Sequence, residues 1–238
     1  MAAVALLNGL FVWRFLPEPP RHRSFTPPPR MRYTDPRILP FVIVGVTMFT
    51  GMALVQQTMG FRFQDALALD AAATAGAVGT AMMCSAGASL LAQGFVVQRL
   101  ELPPFKLLRL ALPLLVIAFT AMALVESRLG LTLAMMVQGF GMGLAGPAFM
   151  AGASLAVSAE EQGAVAGVAG SCGPLGFALG PLLGGALYQI APPLPYAVAA
   201  VLYLVLLGAM GMLGRRLVAP APVAGAPVPA LAEGAEEP

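Results

Sequence analysis

Six long apolar runs separated by short polar breaks dominate the pattern along the chain. They lie near residues 38–60, 71–97, 105–125, 129–157, 163–190 and 195–214. Each offers about 20 residues or more with no acidic residue at its middle. A helix of that length, rising ~1.5 Å per residue, crosses a hydrocarbon core ~30 Å thick. The breaks, Phe61–Asp70, Gln98–Pro104, Glu126–Arg128, Ser158–Gln162 and Ala191–Leu194, collect charges and turn-forming residues. Inside a bilayer no water satisfies the backbone, so such runs must be helical. Strands of a membrane barrel would alternate apolar and polar positions, and these runs are apolar on every side. The pattern predicts an all-α integral membrane protein with a six-transmembrane-helix bundle over residues 38–214.

The flanks differ. Met1–Trp13 is apolar but spans only about 20 Å as a helix, has no basic residue before it and is followed by Arg14. That order is unlike a signal peptide. Residues 1–16 are therefore expected to be the truncated end of a preceding transmembrane helix. Residues 17–37 hold seven prolines together with Arg21, Arg23, Arg30, Arg32 and Arg37, the composition of an extended connector. Residues 215–238 are rich in Ala and Pro, end in Glu233, Glu236 and Glu237, and are expected to be disordered.

Charge sets the expected orientation. When the connections are numbered alternately, one side carries Arg14, Arg21, Arg23, Arg30, Arg32, Arg37, Arg99, Lys106, Arg109, Arg215 and Arg216, and the other only Arg62 and Arg128. Excess Lys and Arg marks the cytoplasmic side, so both ends of the bundle are expected there. A single lysine among the 13 basic residues suggests a GC-rich bacterial genome, and hence a bacterial inner membrane.

Composition agrees with this class and narrows the chemistry. Hydrophobic residues make up 58% of the 238, charged residues 10%, and the mean hydropathy is +0.83. A soluble domain carries about 25% charged residues. Cys84 and Cys172 each sit alone in an apolar run, and the one histidine, His22, is in the connector. No metal, cofactor or nucleic acid is expected. A membrane enzyme would need paired carboxylates, a Ser–His arrangement or a metal cluster, and the chain offers none of these. Glu160 and Glu161 are expected to cap the following helix, where negative charge suits its N-terminal dipole.

Uncharged polar groups within the runs are the candidate cavity residues. Thr47, Thr50, Gln57 and Thr58 fall within about a 100° arc of a helix, with Gln56 on the opposite side. They could line a polar path, or bond to neighbouring helices and to their own backbone. Gln93 and Gln138 are single-residue versions of the same feature. Ala73, Ala77, Ala81, Ser85 and Ser89 form a strip of small residues that lets another helix approach. Glycines of the fifth run divide into two stripes, Gly163, Gly167, Gly170 and Gly185 against Gly173, Gly176, Gly180 and Gly184, which predicts close packing on two sides. Pro174 and Pro181 should kink that helix. Gly139, Gly141, Gly143, Gly146 and Pro147 repeat the feature more weakly in the fourth run.

The spacing Gly167, Gly176, Gly180–Pro181, Gly184–Gly185 resembles the antiporter motif of the major facilitator superfamily. In drug:proton antiporters that motif belongs to the fifth of twelve helices, and here it falls in the counterpart of the eleventh. Glu160–Gly163 followed by the Gly-rich helix resembles the join of helices ten and eleven in tetracycline-type exporters. Gly94 to Arg99 is similar to the superfamily's cytoplasmic loop motif, with Gln98 where that motif has an acid. Phe15–Glu18 resembles the end of helix six. The resemblance covers nearly the whole chain. It implies the C-terminal half of a proton-linked efflux transporter, moving a small molecule by alternating access at a midplane site. Its partner would be an N-terminal six-helix half or a second copy, and Thr47, Thr50, Gln57, Thr58 and Gln138 would line the cavity. The alternative is a non-transporting membrane scaffold that binds partner helices through its small-residue strips.

Overall fold

The computed structural model describes residues 2–15 and 31–217, and every regular element among them is helical. Helix α1 spans Ala2–Phe15, and its side chains from Ala5 onward are exposed. The bundle consists of α2 (Leu39–Leu67), α3 (Ala71–Leu91), α4 (Pro104–Leu124), α5 (Arg128–Leu155), α6 (Gln162–Ile190) and α7 (Leu194–Leu217). A π-helical turn, Ala92–Val97, and a short helix, Gln98–Leu100, prolong α3. The structure thus contains six helices long and apolar enough to cross a membrane. Most of the connector and the tail beyond Leu217 lie outside the described residues.

Three of the helices begin with a side-chain cap. Asp70 caps α3 by accepting from the Ala73 N–H at 2.7 Å, and Ser127 caps α5 by accepting from Gly130 at 3.2 Å. Ser158 and Glu161 form a capping box ahead of α6, which satisfies N–H groups that the helix itself leaves free. Pro113, Pro147, Pro174 and Pro181 all lie inside helices that continue through them.

The largest departure from the expected boundaries is at α2, which runs on to Leu67 instead of stopping near Gly60. At 29 residues it is about 43 Å long, more than the hydrocarbon core needs. Charges end a span but need not end a helix. The extra turns carry Arg62, only 3% exposed, beneath the end of α4. Its guanidinium donates to the Met122, Ala123 and Val125 carbonyls at 3.1, 3.2 and 3.2 Å. These carbonyls have no partner within the helix, and a cation there also meets the negative end of the helix dipole. The final helix likewise runs past its expected end at Gly214, to Leu217.

In chain order the bundle consists of two triplets, α2–α3–α4 and α5–α6–α7, and its most extensive contacts run between them. The most extensive contacts join α2 to α6, α5 to α3, α5 to α4, α4 to α7 and α2 to α7. Exchanging one triplet for the other maps this set onto itself. The pair α2–α6 becomes α5–α3, α2–α7 becomes α5–α4, and α4–α7 maps to itself. The core between them is built from buried side chains such as Phe63, Leu112, Phe119, Met122, Phe149 and Tyr203.

Two glycine seams permit the closest approaches. A Cβ on Gly176 would meet the Thr50 backbone nitrogen at 2.6 Å, one on Gly180 the Ala53 backbone at 2.9 Å, and one on Gly184 the Leu54 carbonyl at 3.0 Å. On α5, Cβ atoms on Gly139 and Gly143 would run into the Ser85 and Ser89 carbonyls. The serine strip of α3 therefore meets α5. The second glycine stripe of α6 meets no other helix among the described residues. Gly163, Gly167, Gly170 and Gly185 have no neighbouring atom within 4 Å of where a Cβ would stand, and neither does Gly173 from the packed stripe. Among the described residues α6 packs closely on one side only.

Candidate functional site

A cavity of about 220 Å³ lies where α2, α3 and α5 meet. Helix α2 contributes Met52, Val55, Gln56 and Met59, and α5 contributes Met135, Gln138, Gly139 and Met142. Helix α3 adds Met82, Ser85, Ala86 and Ser89. Helical geometry explains these sets, because residues three, four and seven apart share a face. Met52, Gln56 and Met59 form such a face on α2, and Met135, Gln138 and Met142 form its counterpart on α5. Each of these two helices thus supplies a methionine, a glutamine and a methionine to the cavity wall.

Depth follows from the helix rise. Gln138 lies ten residues from the start of α5, about 15 Å along the helix, and Gln56 lies about 17 Å from the end of α2. Both fall within the stretch that a ~30 Å apolar layer would cover. None of the lining side chains is ionisable. The Ser85 hydroxyl donates to the Gln138 amide oxygen at 3.4 Å, and the Gln93 amide donates to the Ser89 hydroxyl at 3.2 Å.

The polar residues of the sequence pattern are distributed differently. Gln138 lies on the cavity wall. Thr58 is buried on the opposite side of α2, where it donates to the Leu54 carbonyl at 3.0 Å and lies 3.1 Å from the Tyr196 hydroxyl. Thr50 is buried at the α6 crossing, and its hydroxyl has no hydrogen-bond partner among the described residues. Thr47 is half-buried and Gln57 exposed. Gln56, one residue from Gln57 and therefore rotated about 100°, is the α2 amide that reaches the cavity. The Met–Gln–Met spacing on two helices is the signal in the sequence that would have located this site.

The motif residues fall into two groups. Gly176, Gly180 and Gly184 face α2 and are buried, whereas Gly167, Pro181 and Gly185 face away from the bundle's close contacts. Gly94 sits in the π-helical turn with open space around it, and the Arg99 guanidinium lies 5.1 Å above the Phe95 ring.

At the Leu39 end of the bundle, an ion-pair clasp joins α2 to α6. Arg37 donates through both terminal nitrogens to Glu161, at 2.8 and 2.9 Å, and also to Asp35 at 2.9 Å. The Arg37 side-chain bond is the main reason that the Asp35 carboxyl is held below its ordinary value. At the other end, the Tyr188 hydroxyl donates to Asp65 at 2.6 Å. Among the described residues no three metal-ligating side chains converge. Comparison of the chain with protein-family models and with curated proteins found no match.

Proposed function

We propose that this chain is one half of a secondary transporter, which moves a small molecule across a membrane by alternating access. The observation that carries this reading is the exchange pattern of the helix contacts. With three spans in each triplet, the second triplet enters the bilayer from the side opposite to the first. Equivalent contacts then describe an inverted repeat, the internal architecture on which many transporters are built. The cavity supports the same reading, since it lies at membrane depth between α2 and α5, the equivalent helices of the two repeats. Export coupled to protons, with both bundle ends in the cytoplasm of a bacterial cell, is the form suggested by the major facilitator resemblance and the arginine distribution. The partner would be a second six-helix half or another copy of the chain, seated over α2, α3, α5 and α6.

The open glycine face of α6 also supports a second reading, a scaffold that binds partner helices. Flux separates the two. Proteoliposomes carrying the chain, with any six-helix half encoded directly upstream or at densities that favour pairing, should move an amphiphilic reporter dye when a proton gradient is imposed. Gln138→Leu should slow that movement severalfold. Correctly folded protein that moves no dye under gradients of either sign would overturn the transport reading in favour of the scaffold.

A further inference from the structure

The lining of the α2–α3–α5 cavity selects an occupant. Five of its side chains are methionines, contributed by all three helices, beside two amides and two serine hydroxyls. We propose that the cavity binds an uncharged, flat aromatic molecule with a hydroxyl or carbonyl at one edge. This names the substrate class and rests on the transport reading for its purpose, although binding can be measured without transport.

Charge is the first argument. The lining holds no Asp, Glu, Lys, Arg or His, so an ion entering it would give up hydration and gain no countercharge. Shape and polarisability are the second. Thioether side chains are flexible, fill irregular space and make favourable contacts with ring edges. Size is the third, because an apolar cavity of about 150 Å³ already accepts benzene. The observed volume of about 220 Å³ leaves room for a second fused ring. The hydrogen bonds complete the choice. Ser85 occupies the Gln138 amide oxygen, which leaves that amide's –NH2 group to donate to a hydroxyl or carbonyl on the ligand. Gln56 provides the corresponding amide from α2.

The test uses the purified chain in detergent, titrated calorimetrically against matched detergent blanks with three probes of similar ring size. They are neutral 2-naphthol, anionic naphthalene-2-sulfonate and cationic N-methylquinolinium. Saturable binding of 2-naphthol alone is expected. Ala86→Phe should abolish it by filling the cavity. Gln138→Leu should weaken 2-naphthol about fivefold, the worth of one neutral hydrogen bond, and leave naphthalene itself unchanged. Should Ala86→Phe fail to fold, the Gln138→Leu comparison decides alone. Equal binding of a charged probe, no saturable binding of 2-naphthol, or indifference of 2-naphthol to Gln138→Leu would overturn the proposal. Naphthol binding without dye flux would remove the transport reading and leave the site standing. Flux unaffected by Ala86→Phe would do the reverse.

Discussion

The crossings α2–α6 and α5–α3 are equivalent in the packing pattern, yet they serve different ends. In the first, Gly176, Gly180 and Gly184 lie directly on the backbone of Thr50, Ala53 and Leu54, and the seam is closed. In the second, Gly139 and Gly143 lie against Ser85 and Ser89, and the same residues Ser85, Ser89 and Gly139 border the cavity. Lipid tails offer helices no hydrophobic incentive to associate, so both seams depend on van der Waals fit and interhelical polar contacts. Glycine laid directly on a facing backbone makes a seal. Glycine against serine, with methionines alongside, leaves space and hydrogen-bonding groups.

The sharpest way to break this comparison is Gly180→Leu. No rotamer avoids the Ala53 backbone, and overpacking of this kind should cost about 3 kcal/mol. The variant should melt well below the parent or fail to elute as a monodisperse species. Gly167→Leu on the open face of the same helix should melt within about 0.5 kcal/mol of the parent. A similar loss in both variants would show that the two glycine stripes are equally packed.

Gly143→Ala addresses the other crossing and should have a smaller effect. Its Cβ would stand 2.7 Å from the Ser89 carbonyl, so α3 must shift slightly, at a cost of about 1–2 kcal/mol. Because Ser89 borders the cavity, this variant should also change naphthol binding. Gly167→Ala, on the open face of α6, should leave binding unchanged. Calorimetry on the folded fraction checks both.

The smallest effect concerns the clasp that reinforces only the α2–α6 crossing. The folded protein depresses the Asp35 carboxyl below its ordinary 3.8. The stabilisation it gives is therefore complete above that value and fades as the pH falls through the lowered one. The clasp is solvent-exposed, so the contribution is slight and screened by salt. Melting temperature should fall more in the parent than in Arg37→Gln as the pH is lowered toward about 3. Identical acid sensitivity in the two would show that the Arg37 contacts do not contribute.

Much of the site could be read only after the helices were placed. Gln138 was a candidate from the sequence because an amide within an apolar run is conspicuous. Gln57 was preferred to Gln56 because it grouped with Thr50 and Thr58. That grouping was real, since Thr50 and Thr58 do share a side of α2. It was the side that meets α6 and α7, where Thr58 approaches Tyr196. Methionines within an apolar run read as filler, and only their convergence from three helices gives them meaning.

The sequence by itself determined that six helices form and roughly where. Apolar length sets the spans, and a backbone without water must bond within itself. It also determined the cap ahead of α6, where Ser158 and Glu161 are close enough in sequence to meet without help from the rest of the chain. Tertiary structure decided which stripe of α6 glycines is buried, which face of α2 borders the cavity, and that Arg62 continues a helix instead of opening a loop. A helical wheel fixes the angles between residues on one helix but not the rotation of that helix against its neighbours. That rotation is set by the fit of whole surfaces, contributed by segments up to 155 residues apart, such as Met48 and Tyr203.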